Sequence, residues 1–321
     1  MTIEGVLGIG YVANEVQATR NREEPYPNLP QALVDQGYIN SNAYSLWLND
    51  LDANTGEILF GGVNTAKYEG SLATLPVIPS RDGVYRELSI DMTGLALNDS
   101  DGNVQNYPRR HFPFPALLDT GSTLTYLPVR LVSDIYTTFG VTYDSQFGGG
   151  FVPCTTSQRP EQLIFSFSEP SIAVDMTEMV IDMGPYRFKD GTRACVFGIA
   201  PVDGHTPILG DSFLRSAYVV YDLDNNEISL AKTRFHSAGD EILEIGSGED
   251  AVPDATGVSA PVTSVEPTAT SGGRNGGPTG TGDTIGPDPT ESPGAAAPLR
   301  PEMPFKLAAG LAGAGALFAA M

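Results

Sequence analysis

The stretch PALLDTGSTLTYLP, from Pro115 to Pro128, sets one carboxylate, Asp119, in a small-residue turn between apolar flanks. Gly121 lets the backbone approach that carboxylate closely, and nearby hydroxyls can orient it. A carboxylate held this way can take a proton from water or deliver one to a reacting group. Doing both without a covalent intermediate needs two carboxylates facing each other. At about 3 Å they cannot both ionise easily, so they share one proton and divide the two roles. The sequence contains a single Asp-Thr-Gly. NDSDG at Asn98 to Gly102 and KDGTR at Lys189 to Arg193 have the wrong order and read as turns.

Rival chemistries have less support. GDSF at Gly210 to Phe213 resembles a serine-hydrolase nucleophile block, but it lacks the Gly-x-Ser-x-Gly elbow and an evident histidine partner. GVLGIG at Gly5 to Gly10 does not match the Gly-x-Gly-x-x-Gly of a nucleotide site. Two cysteines, Cys154 and Cys195, are too few for a cysteine-based zinc site. His111, His205 and His236 lack ligand spacing, so neither metal nor cofactor is expected. The cysteines are either buried thiols or, in a secreted protein, a disulfide worth roughly 4 kcal/mol by loop entropy.

A net charge of −21, from 39 acidic and 18 basic residues, argues against a nucleic-acid partner. It suits a protein that works in acid, where protonation relieves self-repulsion, and equally one that is simply soluble.

The elements that must position Asp119 are mostly strands. EILFGGV, SLATLPVI, RELSIDMTGLAL, QLIFSFS, SIAVDM, ACVFGIA, SAYVVYDL and EISLAKT are short apolar or alternating runs. DANTGE, NDSDGN and DLDNNE separate them as turns. Two helices are expected, near Pro30 to Gly37 and from Pro128 to Gly140, the second bounded by proline and glycine as helix ends prefer. GVLGIG and PILGDSFL echo each other as apolar-apolar-Gly blocks.

These blocks carry a family likeness. ALLDTGSTLTYLP followed by TPILGDSFLRSAYVVYDLDNNEISLAK closely resembles the C-terminal lobe of pepsin-like aspartic proteases. EGVLGIG followed by LWLNDLDANTGEILFGGVNTAKYEGSLATLPV resembles the last part of the N-terminal lobe. With the tail described below, the match is to the fungal glycosylphosphatidylinositol (GPI)-anchored, yapsin-like branch. The resemblance implies a mostly β, pepsin-like bilobal acid-protease fold with an incomplete N-terminal lobe (1–75), a catalytic lobe (76–236) and a disordered tail. It implies a monomeric endopeptidase that cuts proteins or peptides at acid pH. By resemblance Asp119 is the catalytic aspartate of the C-terminal lobe, and Ser122 hydrogen-bonds it. Gly121, Ser122 and Thr123 line the substrate cleft, and Thr120 bonds across to a twin loop. Ile208, Leu209 and Gly210 support the catalytic loop, and Cys154 pairs with Cys195.

The family's first aspartate and flap tyrosine lie upstream of the GVLGIG block, which begins here at residue 5. The expectation is that the beginning of an ordinary member is missing and that this chain alone is inactive. Two alternatives are a non-catalytic surface protein and a pair of copies giving one aspartate each, as in retroviral proteases. The remaining N-terminal strands would obstruct the second.

The C-terminal region reads in pieces. Residues 237–294 are rich in Gly, Pro, Ser, Thr and acids and read as a disordered stalk. A small-residue patch at Gly294, the spacer PLRPEMPFK and the uncharged tail Leu307 to Met321 follow the order of a GPI-attachment signal over 295–321. This places the protein at the cell surface, on plasma membrane or wall, with Gly294 as the attachment residue. Such a route needs a signal peptide, and MTIEGVLGIGYVANE has no basic start and no adequate apolar stretch. Asn98-Asp99-Ser100 is a sequon for N-glycosylation in a secreted chain.

Overall fold

Each of the three turn signals joins two strands. DANTGE links Ala43–Trp47 to Glu57–Phe60, NDSDGN links Gly94–Asn98 to Val104–Asn106, and DLDNNE links Ala217–Asp222 to Glu227–Thr233. The structure, a computed structural model, describes residues 7–15, 18–19, 24–264 and 301–302.

A six-stranded sheet joins distant parts of the sequence. Its order is Glu57–Phe60, Ala43–Trp47, Ala217–Asp222, Glu227–Thr233, Tyr68–Pro76 and Ala255–Gly257. Ala43 opposes Asp222 and Leu230 opposes Ala73, so the earlier and later parts of the chain share this sheet. Ala217–Asp222 is buried at every position, which explains its unbroken apolar run: both faces are covered. Gly61 breaks EILFGGV into two strands. It sits at φ 68°, and a Cβ there would meet Ile39 Cγ2 at 2.5 Å, so the bend requires glycine.

A second sheet holds the Asp119 segment. Its order is Ile199–Val202, Thr125–Pro128, Ile208–Leu209, Phe114–Leu118 and Ser89–Met92. Thr125–Pro128 runs directly into helix α2, and helices are labelled α1 (Leu29–Asp35), α2 (Val129–Phe139), α3 (Met176–Met179) and α4 (Asp211–Leu214). Leu131, Val132, Ile135 and Phe139 of α2 fall on one face at helical spacing and are buried. α2 stops at Gly140, which takes the left-handed φ of 65° that a helix C-terminus favours. In α1, Asn28 caps the first turn by accepting from the Gln31 N–H.

Cys154 and Cys195 form a disulfide, tying the start of a 3-10 turn to the strand Ala194–Phe197.

The expected stalk is corrected over its first part. Residues 240–264 are folded onto the molecule. Ile242–Glu244 pairs with Gly62–Asn64, and Ala255–Gly257 adds a parallel strand to Tyr68–Pro76. Ile245, Val252 and Val258 are buried, at 0%, 6% and 9% exposure. The segment ends with the Val262 N–H donating to Ser168 Oγ and the Ser264 N–H to Asp91 Oδ2. A few well-spaced apolar residues and an available strand edge outweigh a disorder-like average composition. Residues 265–294, Gly294 included, and the attachment signal apart from 301–302 lie outside the described residues.

Candidate active site

Ile208–Leu209 threads between the two arms of the Asp119 loop. Leu118 lies opposite Leu209 in parallel register, and Ile208 opposes Tyr126 on the other arm. The Asp119 N–H donates to the Leu209 carbonyl at 3.1 Å, so the strand fixes the point where the Asp119 loop begins. At Gly210 the chain passes directly beneath the loop. A Cβ there would lie 2.3 Å from both the Ser122 and the Leu124 carbonyl oxygens, a clash with backbone that no rotamer relieves. Asp211 and Ser212 then donate their N–H groups to the carbonyls of Ser122 and Thr123, at 2.8 and 3.2 Å.

The half-buried Asp119 carboxylate is held at both oxygens. The Gly121 N–H donates to Oδ1 at 2.9 Å, and the Ser122 hydroxyl donates to Oδ2 at 2.7 Å. Charge-assisted bonds of this kind fix the carboxylate plane. A Cβ at residue 121 would lie 3.1 Å from Oδ1, so glycine permits the approach. Ser122 is buried, whereas Thr120, Gly121 and Thr123 are exposed beside the carboxylate. Asp119, Gly121, Ser122, Ile208, Leu209 and Gly210 thus come together. Thr120 makes no side-chain hydrogen bond among the described residues.

Ser212 cannot serve as a nucleophile. It is fully buried, donates its hydroxyl to the Gly198 carbonyl at 2.7 Å and accepts from the Thr125 N–H at 3.0 Å. Its place is structural, linking the Thr125 end of the loop to the bend at Gly198. Asn98 ends its strand half-buried, and its amide, the glycan-acceptor group of the sequon, donates to Gln162 Oε1 at 3.1 Å.

Three groups of the TPILGDSFLRSAYVVYDLDNNEISLAK block stand around the loop. Asp211 is pushed up from 3.8 to about 6, first by burial; Arg215 pulls it back and Asp119 pushes it further up. Burial also raises the Tyr221 phenol far above its ordinary range, with Asp119 and Asp211 adding to the shift. Tyr221 stacks on Tyr44 at 5.0 Å between ring centres, placing an aromatic pair near the two acids. Arg215 closes α4 with its N–H on the Asp211 carbonyl and reaches across to Glu178 of α3. The block does not show their partners, because nothing local to these residues marks one.

The strand-threaded loop, the glycine beneath it and the doubly held aspartate define a pepsin-like aspartic protease lobe. Residues 1–233 match the family model for eukaryotic aspartyl protease, and the chain belongs to that family. It is 55% identical over 98% of its length to "Probable aspartic-type endopeptidase opsB" of Aspergillus oryzae, covering 65% of that protein. A similarly named Aspergillus fumigatus protein is 54% identical over 88% of this chain and 58% of its own length. The chain therefore spans less than two thirds of these relatives. "Aspartic proteinase yapsin-3" of Saccharomyces cerevisiae is 37% identical over 75% of this chain and 47% of its own length, in keeping with the fungal yapsin-like branch. The crystal structure of aspartic proteinase from Irpex lacteus shares the fold, with a TM-score of 0.57 at 20% identity, covering 75% of this chain and 72% of that one.

Proposed function

We propose that this chain carries one half of the water-activating aspartate dyad of an endopeptidase that hydrolyses protein and peptide substrates at acid pH. The observation that carries the reading is the Asp119 carboxylate, gripped at one oxygen by the Gly121 N–H and at the other by the Ser122 hydroxyl. In such a dyad one carboxylate takes a proton from water while the other gives one to the peptide carbonyl. Asp119 supplies one of these two positions, exposed Gly121 and Thr123 line the cleft beside it, and buried Ser122 supports the carboxylate from below.

The second position needs another carboxylate, which the single Asp-Thr-Gly of this sequence does not provide. The 321-residue chain produced by itself should then cleave peptides feebly or not at all. The natural product should cleave them at acid pH, be blocked by a statine-type inhibitor and lose activity with Asp119→Asn. Uninhibited cleavage that survives this substitution would contradict the reading.

One observation favours a second reading, a non-catalytic surface protein: the single aspartate motif. Under it the natural product stays folded and cleaves no peptide. We further propose attachment to the cell surface by a GPI anchor at Gly294, supported by the small-residue, spacer and apolar-tail order, with the protein monomeric. Release of the natural product from cell membranes by a phosphatidylinositol-specific phospholipase tests the anchor.

A further inference from the structure

Glu178 and Arg215 form the most enclosed ion pair among the described residues, with side-chain exposures of 4% and 8%. Arg215 Nε donates to Glu178 Oε2 at 2.5 Å and its Nη2 to the Glu178 carbonyl at 2.7 Å, a two-point grip between α4 and α3. The other carboxylate oxygen, Oε1, accepts from the Leu51 N–H at 3.3 Å. Leu51 belongs to the turn between Ala43–Trp47 and Glu57–Phe60, in the six-stranded sheet. One buried carboxylate therefore joins that sheet to the helix that begins at Asp211. α3 is fixed from its other end as well, because the Met179 carbonyl accepts from Gly198, whose own carbonyl accepts from Ser212.

Two acids draw on the one guanidinium. Glu178 holds it by direct bonds, whereas Asp211 makes no side-chain hydrogen bond among the described residues and feels Arg215 through space. The groups that act on Asp211 are Arg215 and Asp119, and Tyr221 stands close enough to respond to both acids. Those that act on Glu178 are Arg215 and Asp50, and Asp50 is itself paired with His236 at 2.9 Å.

We propose that Glu178 and Arg215 are positioning residues for the Asp119 loop: Glu178 fixes where the guanidinium sits and how much of its charge is left for Asp211, beside Asp119. Removing the Glu178 charge without changing its shape frees the Arg215 field for Asp211, which favours ionised Asp211. The catalytic consequence rests on the proposed function; the coupling itself does not.

The test is a carbon-13 NMR titration of the Asp211 side-chain carboxyl in the full 321-residue chain, assigned by its loss in Asp211→Asn. In Glu178→Gln the midpoint should fall by about half a pH unit or more, threefold in proton affinity. In Glu178→Asp, which keeps the charge but shortens the reach, the midpoint should stay nearer the native value while the Leu51 amide exchanges faster with solvent. A native midpoint in folded Glu178→Gln would overturn the proposal. If Glu178→Gln does not fold, Glu178→Asp decides: a Leu51 amide that exchanges at the native rate overturns it. A failed peptidase assay would sink the proposed function and leave this coupling standing; an unmoved midpoint would do the reverse.

Discussion

Gly210 lies so close beneath Ser122 that a side-chain carbon there would stand 2.3 Å from the Ser122 carbonyl oxygen. That oxygen accepts from the Asp211 N–H, and the Ser122 hydroxyl holds Asp119. The bare backbone at Gly210 thus sets the height of the loop that carries the acid. Gly210→Ala should push the loop away and cost about 1–3 kcal/mol, the usual range for overpacking. Urea unfolding and an NMR map of residues 119–124 would register both effects. A native map with unchanged stability would contradict them.

Asp211 makes stability depend on pH. Its folded value of about 6 lies above the ordinary 3.8. A carboxyl raised on folding contributes stability that is fully present below its unfolded value and lost as pH rises through the folded one. The native chain should therefore lose stability between about pH 4 and 6, and Asp211→Asn should lose less over that window. Urea unfolding of both proteins at its two ends measures the difference. An equal loss in the two would contradict the assignment.

The folded segment 240–264 should matter to the whole molecule. Ile245 is fully buried in a cluster with Trp47, Val63 and Tyr218. Ile245→Ala should cost about 2–5 kcal/mol, as for other buried aliphatic truncations. A change within error of zero by thermal or urea unfolding would mean that the segment does not hold to the sheet in solution.

The Cys154–Cys195 bridge closes a loop with a sequence separation of 41. Replacing both cysteines by serine should cost about 4 kcal/mol on chain-entropy grounds. Comparing unfolding with and without reductant provides the control. Native protein insensitive to reductant at denaturing temperature would contradict it.

The strands and the Asp119 loop were legible because their signals are local. The acid, Gly121 and Ser122 lie within four positions, and Gly210 follows its two apolar partners directly. The reach of α2 could be read from its bounding Pro128 and Gly140. Glu178 and Arg215 were silent because they are 37 residues apart and meet only through the packing of α3 on α4. Ser212 lacked an elbow and a histidine partner in the sequence, and its full burial agrees with that reading, although a short motif does not encode depth. Residues 240–264 were misread because averaging over a long polar stretch hid Ile245, Val252 and Val258. A few anchors suffice when an open strand edge lies alongside.

The account stands most directly on peptide cleavage at acid pH by the natural product, wild type against Asp119→Asn, with and without a statine-type inhibitor. It predicts inhibitor-sensitive cleavage by the wild type that falls to background in the variant while the fold persists. Equal cleavage by both proteins, or none by the folded wild type, would contradict it.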